Sequence, residues 1–220
     1  MQECCLLKAI ALDFDGVILE SVDLKTRAFR ALFKDYPRHL DRIVKLHVEN
    51  GGLSRYEKFA VIYRDYLNQP LTELEKARLG REFSQFIEHE ILTCSYVQGA
   101  LEFIKLESEH LPLFLVSGTP ETELRAIARK RKLESYFRSV CGSPRSKDVL
   151  LHAILADNGW RSSEVVFVGD SMTDFRAAQS VGMPFIGRVP NGAANPFPDS
   201  VKRVVADLKE LTACLPLMVT

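Results

Sequence analysis

Two carboxylates, Asp13 and Asp15, directly follow the short apolar run at residues 9–12, with one residue between them. In an extended strand this spacing places both side chains on the same side. Two acids so close together repel each other and resist burial unless a cation or a shared proton compensates their charge. A hard divalent cation such as Mg²⁺ is the simplest compensator, because it prefers oxygen ligands. Taken alone, the pair is equally consistent with a solvated strand end.

Two further apolar runs also end in polar, chemically useful residues. Residues 111–116 lead to Ser117, and residues 165–168 lead to Asp170 and, four residues later, Asp174. Apolar strands alternating with helices, the pattern of this half of the chain, predict an α/β fold with a mostly parallel sheet covered by helices on both faces. In such sheets ligands bind beyond the carboxyl ends of the strands, so the three runs point to one site.

The candidate site combines four carboxylates with a serine and a lysine, namely Asp13, Asp15, Ser117, Lys147, Asp170 and Asp174. So negative a cluster calls for a divalent cation, which would also bind phosphoryl oxygens and spread the charge of a transition state. Asp13 can attack phosphorus to form an aspartyl-phosphate, and Asp15 can protonate the leaving oxygen and then deprotonate water. Lys147 suits a phosphate, and the Ser117 hydroxyl with the N–H of Gly118 can hold the remaining oxygens.

Each of these residues also has an ordinary structural interpretation. The stretch after Ser117 predicts a helix with Thr119 as its N-cap and Pro120 at its first position. Lys147 alone is typical of a solvated helix residue, and the two acids after the third run can simply cap a helix. The ordered combination, rather than any one residue, indicates a site.

Residues 20–92 predict helices without a convincing strand. Apolar residues recur at helical spacing from Val22, and capping-box patterns at Ser54 and Thr72 predict two helix starts. At the other end of the chain, residues 201–215 predict a closing helix.

The composition argues against several classes of function. Lysine plus arginine and aspartate plus glutamate number 29 each, so the net charge of zero favours neither a nucleic-acid nor a membrane partner. No apolar run reaches membrane-spanning length, and the first residues lack the basic segment of a secretory signal. The cysteines are odd in number and form no Cys-x-x-Cys pair, which favours reduced thiols in a cytoplasmic protein. They are Cys4, Cys5, Cys94, Cys141 and Cys214. The sequence leaves the oligomeric state open.

Four motifs in this order resemble those of the haloacid dehalogenase-like (HAD) hydrolase superfamily. They are Asp13-Phe14-Asp15-Gly16-Val17, Ser117 after an apolar strand, Lys147 within Gly-Ser-Pro-x-x-Lys, and Gly169-Asp170-x-x-x-Asp174. The resemblance covers nearly the whole chain and implies a Rossmann-like core, dependence on Mg²⁺ and an aspartyl-enzyme intermediate. It also implies that residues 1–19 and 93–220 form the core domain and that residues 20–92 form an inserted α-helical cap domain.

The same resemblance implies a role for each motif residue. Asp13 would be the nucleophile, and Asp15 would be the general acid and base. The ligands of the metal would be the Asp13 carboxylate, the Asp15 backbone carbonyl, Asp170 and, behind them, Asp174. The phosphoryl group would be held by Ser117, Gly118 and Lys147.

The stretch Gly52-Leu53-Ser54-Arg55 resembles the cap loop that reaches a substrate anion in β-phosphoglucomutase-like relatives. Arg55 is therefore a candidate substrate contact, with Lys58 one turn further along. Lys25 is a third candidate, since mutase relatives carry a histidine at that position, ten residues after the second aspartate. The alternative is that Ser54 merely caps a helix and that Arg55 is exposed.

These features favour a Mg²⁺-dependent phosphatase of a small phosphorylated metabolite. A phosphomutase of the β-phosphoglucomutase type is the alternative, although Lys25 stands where those relatives carry histidine. A 2-haloacid dehalogenase is less favoured, because those relatives lack the second aspartate that Asp15 supplies here. The intact set of acids argues against a non-catalytic binding module.

Overall fold

A six-stranded sheet is the centre of the computed structural model, which describes residues 6–215. The strands lie in the order β3-β2-β1-β4-β5-β6, and each neighbouring pair is parallel. They are β1 (Ala9–Leu12), β2 (Leu113–Pro120), β3 (Ser139–Ser143), β4 (Val165–Gly169), β5 (Phe185–Arg188) and β6 (Val204–Val205). The predicted α/β fold with a parallel sheet is therefore confirmed.

Four helices fill the segment between β1 and the rest of the sheet. They are α1 (Val22–Leu32), α2 (Leu40–Glu49), α3 (Arg55–Val61), which a π-helical turn (Ile62–Leu67) extends, and α4 (Glu73–Thr93). The two expected helix starts are present, because Ser54 accepts a hydrogen bond from the Tyr56 N–H and Thr72 accepts one from the Glu75 N–H. These four helices occupy the segment predicted to be the cap.

The remaining helices cover both faces of the sheet. They are α5 (Ala100–Glu107), α6 (Glu121–Lys130), α7 (Lys147–Asn158), α8 (Met172–Ser180) and α9 (Leu208–Cys214). Strand β1 is fully buried, and its residues alternate between two hydrophobic clusters. Ile10 and Leu12 pack in the cluster that includes α5, α6 and α9, whereas Ala9 and Ala11 pack in the cluster that includes α7 and α8. Burial on both faces explains why β1 is apolar throughout.

Two sequence expectations about element boundaries are wrong. Thr119 is not a helix N-cap, because β2 continues through it to Pro120, which pairs with Ser143 of β3, and α6 begins one residue later. The Thr119 hydroxyl instead contacts Lys25.

The closing helix, predicted over residues 201–215, is shorter in the structure. Val204 and Val205 form the edge strand β6, as suits two β-branched residues. The helix α9 begins only after Asp207, whose carboxylate accepts hydrogen bonds from the N–H groups of Lys209 and Glu210.

No helix in residues 6–215 has the length and apolarity needed to cross a membrane. Cys94 and Cys141 are free thiols. Cys4 and Cys5 lie outside the described residues, as does the side chain of Cys214.

Candidate active site

The polar residues that follow the three apolar runs meet at the carboxyl edge of the sheet. Asp13 directly follows β1, and its N–H donates to the Val168 carbonyl of β4 over 2.9 Å. Ser117 lies within β2, and Asp170 directly follows β4. Lys147 is the first residue of α7. Neighbouring parallel strands thus bring together side chains that lie up to 157 positions apart in the numbering.

Three carboxylates form a compact cluster. Asp13, Asp170 and Asp174 each offer an oxygen, and these atoms lie within 4.8 Å of one another. Burial, followed by the charges of neighbouring acids, raises the pKa of Asp13 to about 7 against the opposing charge of Lys147. Burial and the charges of Asp13 and Asp174 also raise the pKa of Asp170 well above its ordinary value. These two carboxylates resist ionisation because their negative charges repel one another in a buried place. A hard divalent cation bound to their oxygens would compensate those charges.

Lys147 contacts both Asp13, the candidate nucleophile, and Asp174 of the fourth motif. Its ammonium lies 2.8 Å from Asp13 Oδ1 and 2.5 Å from Asp174 Oδ1, and it is almost fully buried. Burial alone would lower the pKa of Lys147, but the two carboxylates outweigh it and hold the pKa above its ordinary value. Lys147 is therefore a charged group at the site rather than a solvated helix residue.

Asp174 caps a helix and also contacts this lysine. The Ser171 hydroxyl donates to Asp174 Oδ2 over 2.7 Å, and Ser171 in turn accepts from the Asp174 N–H, so the two residues form a capping box at the start of α8. The structural interpretation of Asp174 as a helix-capping residue is confirmed, and its role at a metal site stays a prediction.

Asp15 lies beside the acid cluster and has different partners. Its carboxylate accepts from the Ser21 hydroxyl over 2.6 Å and from Lys25, which also donates to Thr119 Oγ1 over 2.7 Å. Burial would raise the pKa of Asp15, but the charge and hydrogen bond of Lys25 outweigh it and lower the pKa. Gly16, which follows Asp15, lies against Asp170. Its φ of 74° is in the left-handed region that favours glycine, and a Cβ at this position would lie 2.0 Å from Asp170 Oδ2.

Ser117 and Gly118, two of the three residues expected to hold the phosphoryl group, lie next to the cap segment. Ser117 is buried, and its hydroxyl accepts from the Thr119 N–H over 3.1 Å. A Cβ at Gly118 would lie 2.5 Å from the backbone carbonyl oxygen of Gly52, which belongs to the cap loop. Phosphate binding by Ser117 and Gly118 stays a prediction, while the close approach of the cap loop explains why position 118 is glycine.

A small cavity separates the cap helices from the sheet edge. Its volume is about 30 Å³, room for about two water molecules. The core contributes Asp13, Asp15, Ser117, Gly118 and Lys147 to its lining, and the cap contributes Lys25, His47, Arg55 and Lys58. All three cap residues expected from the sequence thus border the same space as the candidate nucleophile.

Arg55 is buried, so the expectation that it is simply exposed is wrong. Its guanidinium donates to both carboxylate oxygens of Glu123 on α6, over 3.2 and 2.5 Å. Glu123 also accepts from the Ser84 hydroxyl of α4 over 2.6 Å. Arg55 therefore links cap and core. Glu123 has no feature in the sequence that distinguishes it from any acid in the first turn of a helix.

Lys58 is more deeply buried and has neutral partners. Its side-chain nitrogen lies 3.1 Å from His47 Nδ1 and donates to the His47 carbonyl over 3.3 Å. Burial, together with the charge of Lys25, lowers the pKa of Lys58 to about 7. Burial and the charge of Lys58 lower the pKa of His47 to about 2, so the imidazole is neutral. The sequence did not single out His47.

Comparison with known proteins agrees with the geometry. Residues 10–188 match the family model of the haloacid dehalogenase-like hydrolases. A phosphoglycolate phosphatase from Aliivibrio fischeri is 27% identical over 223 residues, which cover 96% of this chain and 97% of that protein. Among solved structures, a hydrolase from Pseudomonas syringae aligns with a TM-score of 0.77 at 19% identity, covering 97% of this chain and 100% of the other. The HAD-hydrolase YfnB from Bacillus subtilis, bound to magnesium, aligns with a TM-score of 0.69 at 17% identity over 96% of this chain and 99% of the other.

Proposed function

The chain belongs to the haloacid dehalogenase-like hydrolases, and we propose that within this family it is a Mg²⁺-dependent phosphatase that works through an aspartyl-phosphate on Asp13. The observation that carries the proposal is the arrangement around Asp13, which has a buried ammonium 2.8 Å away and two further carboxylates within reach of one cation. The proposal includes the division into a core of residues 1–19 and 93–220 and a cap of residues 20–92. It also includes a cytoplasmic location.

The donors that would hold the metal are the carboxylates of Asp13 and Asp170 and the backbone carbonyl of Asp15, with Asp174 behind them. A divalent cation bound there would neutralise the acids and stabilise negative charge on the phosphoryl oxygens. The chain supplies the other positive charge through Lys147, whose two carboxylate contacts fix its position beside Asp13. Ser117 and Gly118 would complete the set of phosphoryl contacts.

The first chemical step transfers the phosphoryl group to the protein. An oxygen of Asp13 attacks phosphorus, and the bond from phosphorus to the substrate oxygen breaks. Asp15 takes up the proton that a phosphomonoester monoanion carries and passes it to the leaving oxygen, so Asp15 is ionised again at the end of this step. In the second step Asp15 removes a proton from water, the resulting hydroxide attacks phosphorus, and the bond to Asp13 breaks, which releases inorganic phosphate. The contacts with Lys25 and Ser21 keep Asp15 ionised, the state that this second step requires.

Hydrolysis is favoured over the alternatives by the residues that surround Asp15. Lys25, at the position where mutase relatives carry histidine, is engaged by Asp15 and Thr119. A general acid at position 15 suits an oxygen leaving group rather than a halide. The phosphoglycolate phosphatases among the relatives support a small phosphorylated metabolite as the substrate.

The direct test is phosphate release from a panel of phosphomonoesters, including an aryl phosphate and 2-phosphoglycolate. We expect turnover with Mg²⁺ and its loss on addition of EDTA, with recovery when Mg²⁺ is restored. The substitution Asp13→Asn should abolish turnover in a protein that unfolds as cooperatively as the wild type, whereas Asp23→Asn on the exposed side of α1 should leave turnover unchanged. Turnover that survives in Asp13→Asn would show that another group is the nucleophile.

A further inference from the structure

The three cationic side chains that the cap contributes to the cavity differ in their counter-ions. Lys25 is paired with Asp15, and Arg55 is paired with Glu123. Among residues 6–215 no carboxylate oxygen lies within 4.0 Å of the Lys58 side-chain nitrogen, whose hydrogen-bond partners are the imidazole and the carbonyl of His47. Lys58 is thus the one member of this trio without an anionic partner in the described part of the chain.

An ammonium buried without a counter-ion is costly. Lys58 is only 2% exposed, and removing an ion from water is unfavourable even after the protein relaxes. The neutral imidazole of His47 offers a hydrogen bond but no charge. Charged groups elsewhere in the cavity act on Lys58 only from a distance, with Lys25 and Lys147 opposing its charge and Asp15 and Asp170 favouring it. No carboxylate of the described residues contacts Lys58, so its position suits an anionic group supplied by a ligand.

The position of Lys58 relates this anionic group to the substrate. Its side chain lines the same cavity as Asp13 and Lys147, so anything it contacts there lies beside the reacting phosphoryl group. Lys147 is already paired with Asp13 in this cavity. The Nε of Arg55, one turn before Lys58 on α3, is also buried without a hydrogen-bond partner in the described structure, so the same wall holds a second unused donor.

We propose that Lys58 is the specificity-determining residue of the site and binds a second anionic group of the substrate, a carboxylate or a second phosphate. This inference rests on the proposed phosphatase function. Lys58 and Lys147 line the same narrow cavity, so a short linker joins the two anionic groups that they would bind. The substrate class is therefore a small phosphomonoester that carries another negative charge within a few bonds of the phosphate. Arg55 acts mainly as the link to Glu123 and supports the wall on which Lys58 lies.

A matched pair of substrates tests this assignment. 2-Phosphoglycolate and 2-hydroxyethyl phosphate have nearly the same size but differ by one carboxylate, and ethane-1,2-diol bisphosphate replaces that carboxylate with a phosphate. The wild type should show a kcat/KM at least about tenfold higher for one of the two doubly anionic compounds than for 2-hydroxyethyl phosphate, the usual worth of a hydrogen bond to a charged group. The preferred compound identifies the second anion as carboxylate or phosphate.

The variant Lys58→Met should bring this ratio close to one, chiefly by lowering kcat/KM for the preferred doubly anionic compound. Lys45→Met, which removes an exposed lysine on α2, is the matched control and should keep the wild-type ratio. Thermal unfolding of both variants establishes that they are folded. A wild-type ratio near one, or a Lys58→Met variant that slows all three substrates equally, would overturn the assignment while leaving the phosphatase function intact. Absence of turnover on these compounds and on an aryl phosphate would instead refute the proposed function and, with it, this inference.

Discussion

The substitution Lys58→Met should stabilise the protein even though it removes discrimination between substrates. In the folded protein burial lowers the pKa of Lys58 from 10.5 to about 7. Since each pKa unit corresponds to about 1.4 kcal/mol, keeping the ammonium charged in the folded protein costs on the order of 5 kcal/mol. Methionine has a similar length and removes that cost, while loss of the hydrogen bonds to His47 offsets roughly 1–2 kcal/mol of it.

The net gain in the free energy of unfolding should be about 3–4 kcal/mol, equivalent to a rise in Tm of roughly 6–16 °C for a chain of this size. The gain depends on pH in a defined direction. Below pH 7 Lys58 is protonated in both states, so the full cost applies. Between pH 7 and 10.5 the folded protein loses this proton while the unfolded chain keeps it, so the cost falls as pH rises. The increase in Tm should therefore be largest at pH 6 and small at pH 9.5.

Thermal unfolding followed by circular dichroism at pH 6, 7.5 and 9.5 measures this effect, with each variant compared with the wild type at the same pH. Lys45→Met again serves as the control, because its side chain is exposed and its removal should change Tm by less than a degree or two at every pH. A Lys58→Met variant that is less stable than the wild type at pH 6, or whose Tm shift is the same at all three pH values, would refute the claim that Lys58 is a buried, unpaired cation.

Two further predictions concern the same wall of the cavity. The ratio of kcat/KM for 2-phosphoglycolate to that for 2-hydroxyethyl phosphate should fall as pH rises through about 7, because Lys58 loses its charge there. Taking the ratio cancels the titration of the phosphate and of the protein groups that act on both substrates. A ratio that stays constant from pH 6 to pH 9 would contradict the prediction. Glu123→Gln should lower the free energy of unfolding by roughly 1–3 kcal/mol, because it leaves the buried Arg55 without its counter-ion, whereas Glu88→Gln, which changes an exposed side chain of α4, should have little effect. Equal stabilities of the two variants in urea denaturation would contradict the role of Glu123 as the link between cap and core.

The parts of the fold that depend on continuous apolar runs could be predicted from the sequence. β1, β4 and the first half of β2 (residues 113–116) each appear as such a run, because both faces of these segments are buried and apolar side chains suit both faces. The two-residue strand β6 is too short to give a pattern and is defined only by its pairing with β5. The same limit explains Thr119: Ser-Gly-Thr-Pro is a typical helix start, and only the pairing between Pro120 and Ser143 shows that the strand continues.

The candidate site was predictable to the extent that its residues lie next to strand ends. Asp13, Ser117 and Asp170 follow apolar runs, so the topology of a parallel sheet brings them together without any knowledge of side-chain contacts. Which of Arg55 and Lys58 is the better candidate for a substrate contact could not be predicted from the positions of strand ends. Both are cations on the first turns of one helix, and what separates them is the pairing of Arg55 with Glu123, an acid 68 positions further along the chain.

Counter-ion pairing is the property that decides which of two similar cations is free for a ligand. Because Glu123 neutralises Arg55, the cap can close over the cavity with that charge already compensated. Lys58 has no such compensation in residues 6–215, so closure over an empty site brings an uncompensated ammonium into the interior. Closure over a substrate with a second anion supplies the missing charge, and the closed state is then favoured in proportion to the energy of that contact. The same lysine would thus distinguish substrates and couple their binding to exclusion of water from Asp13.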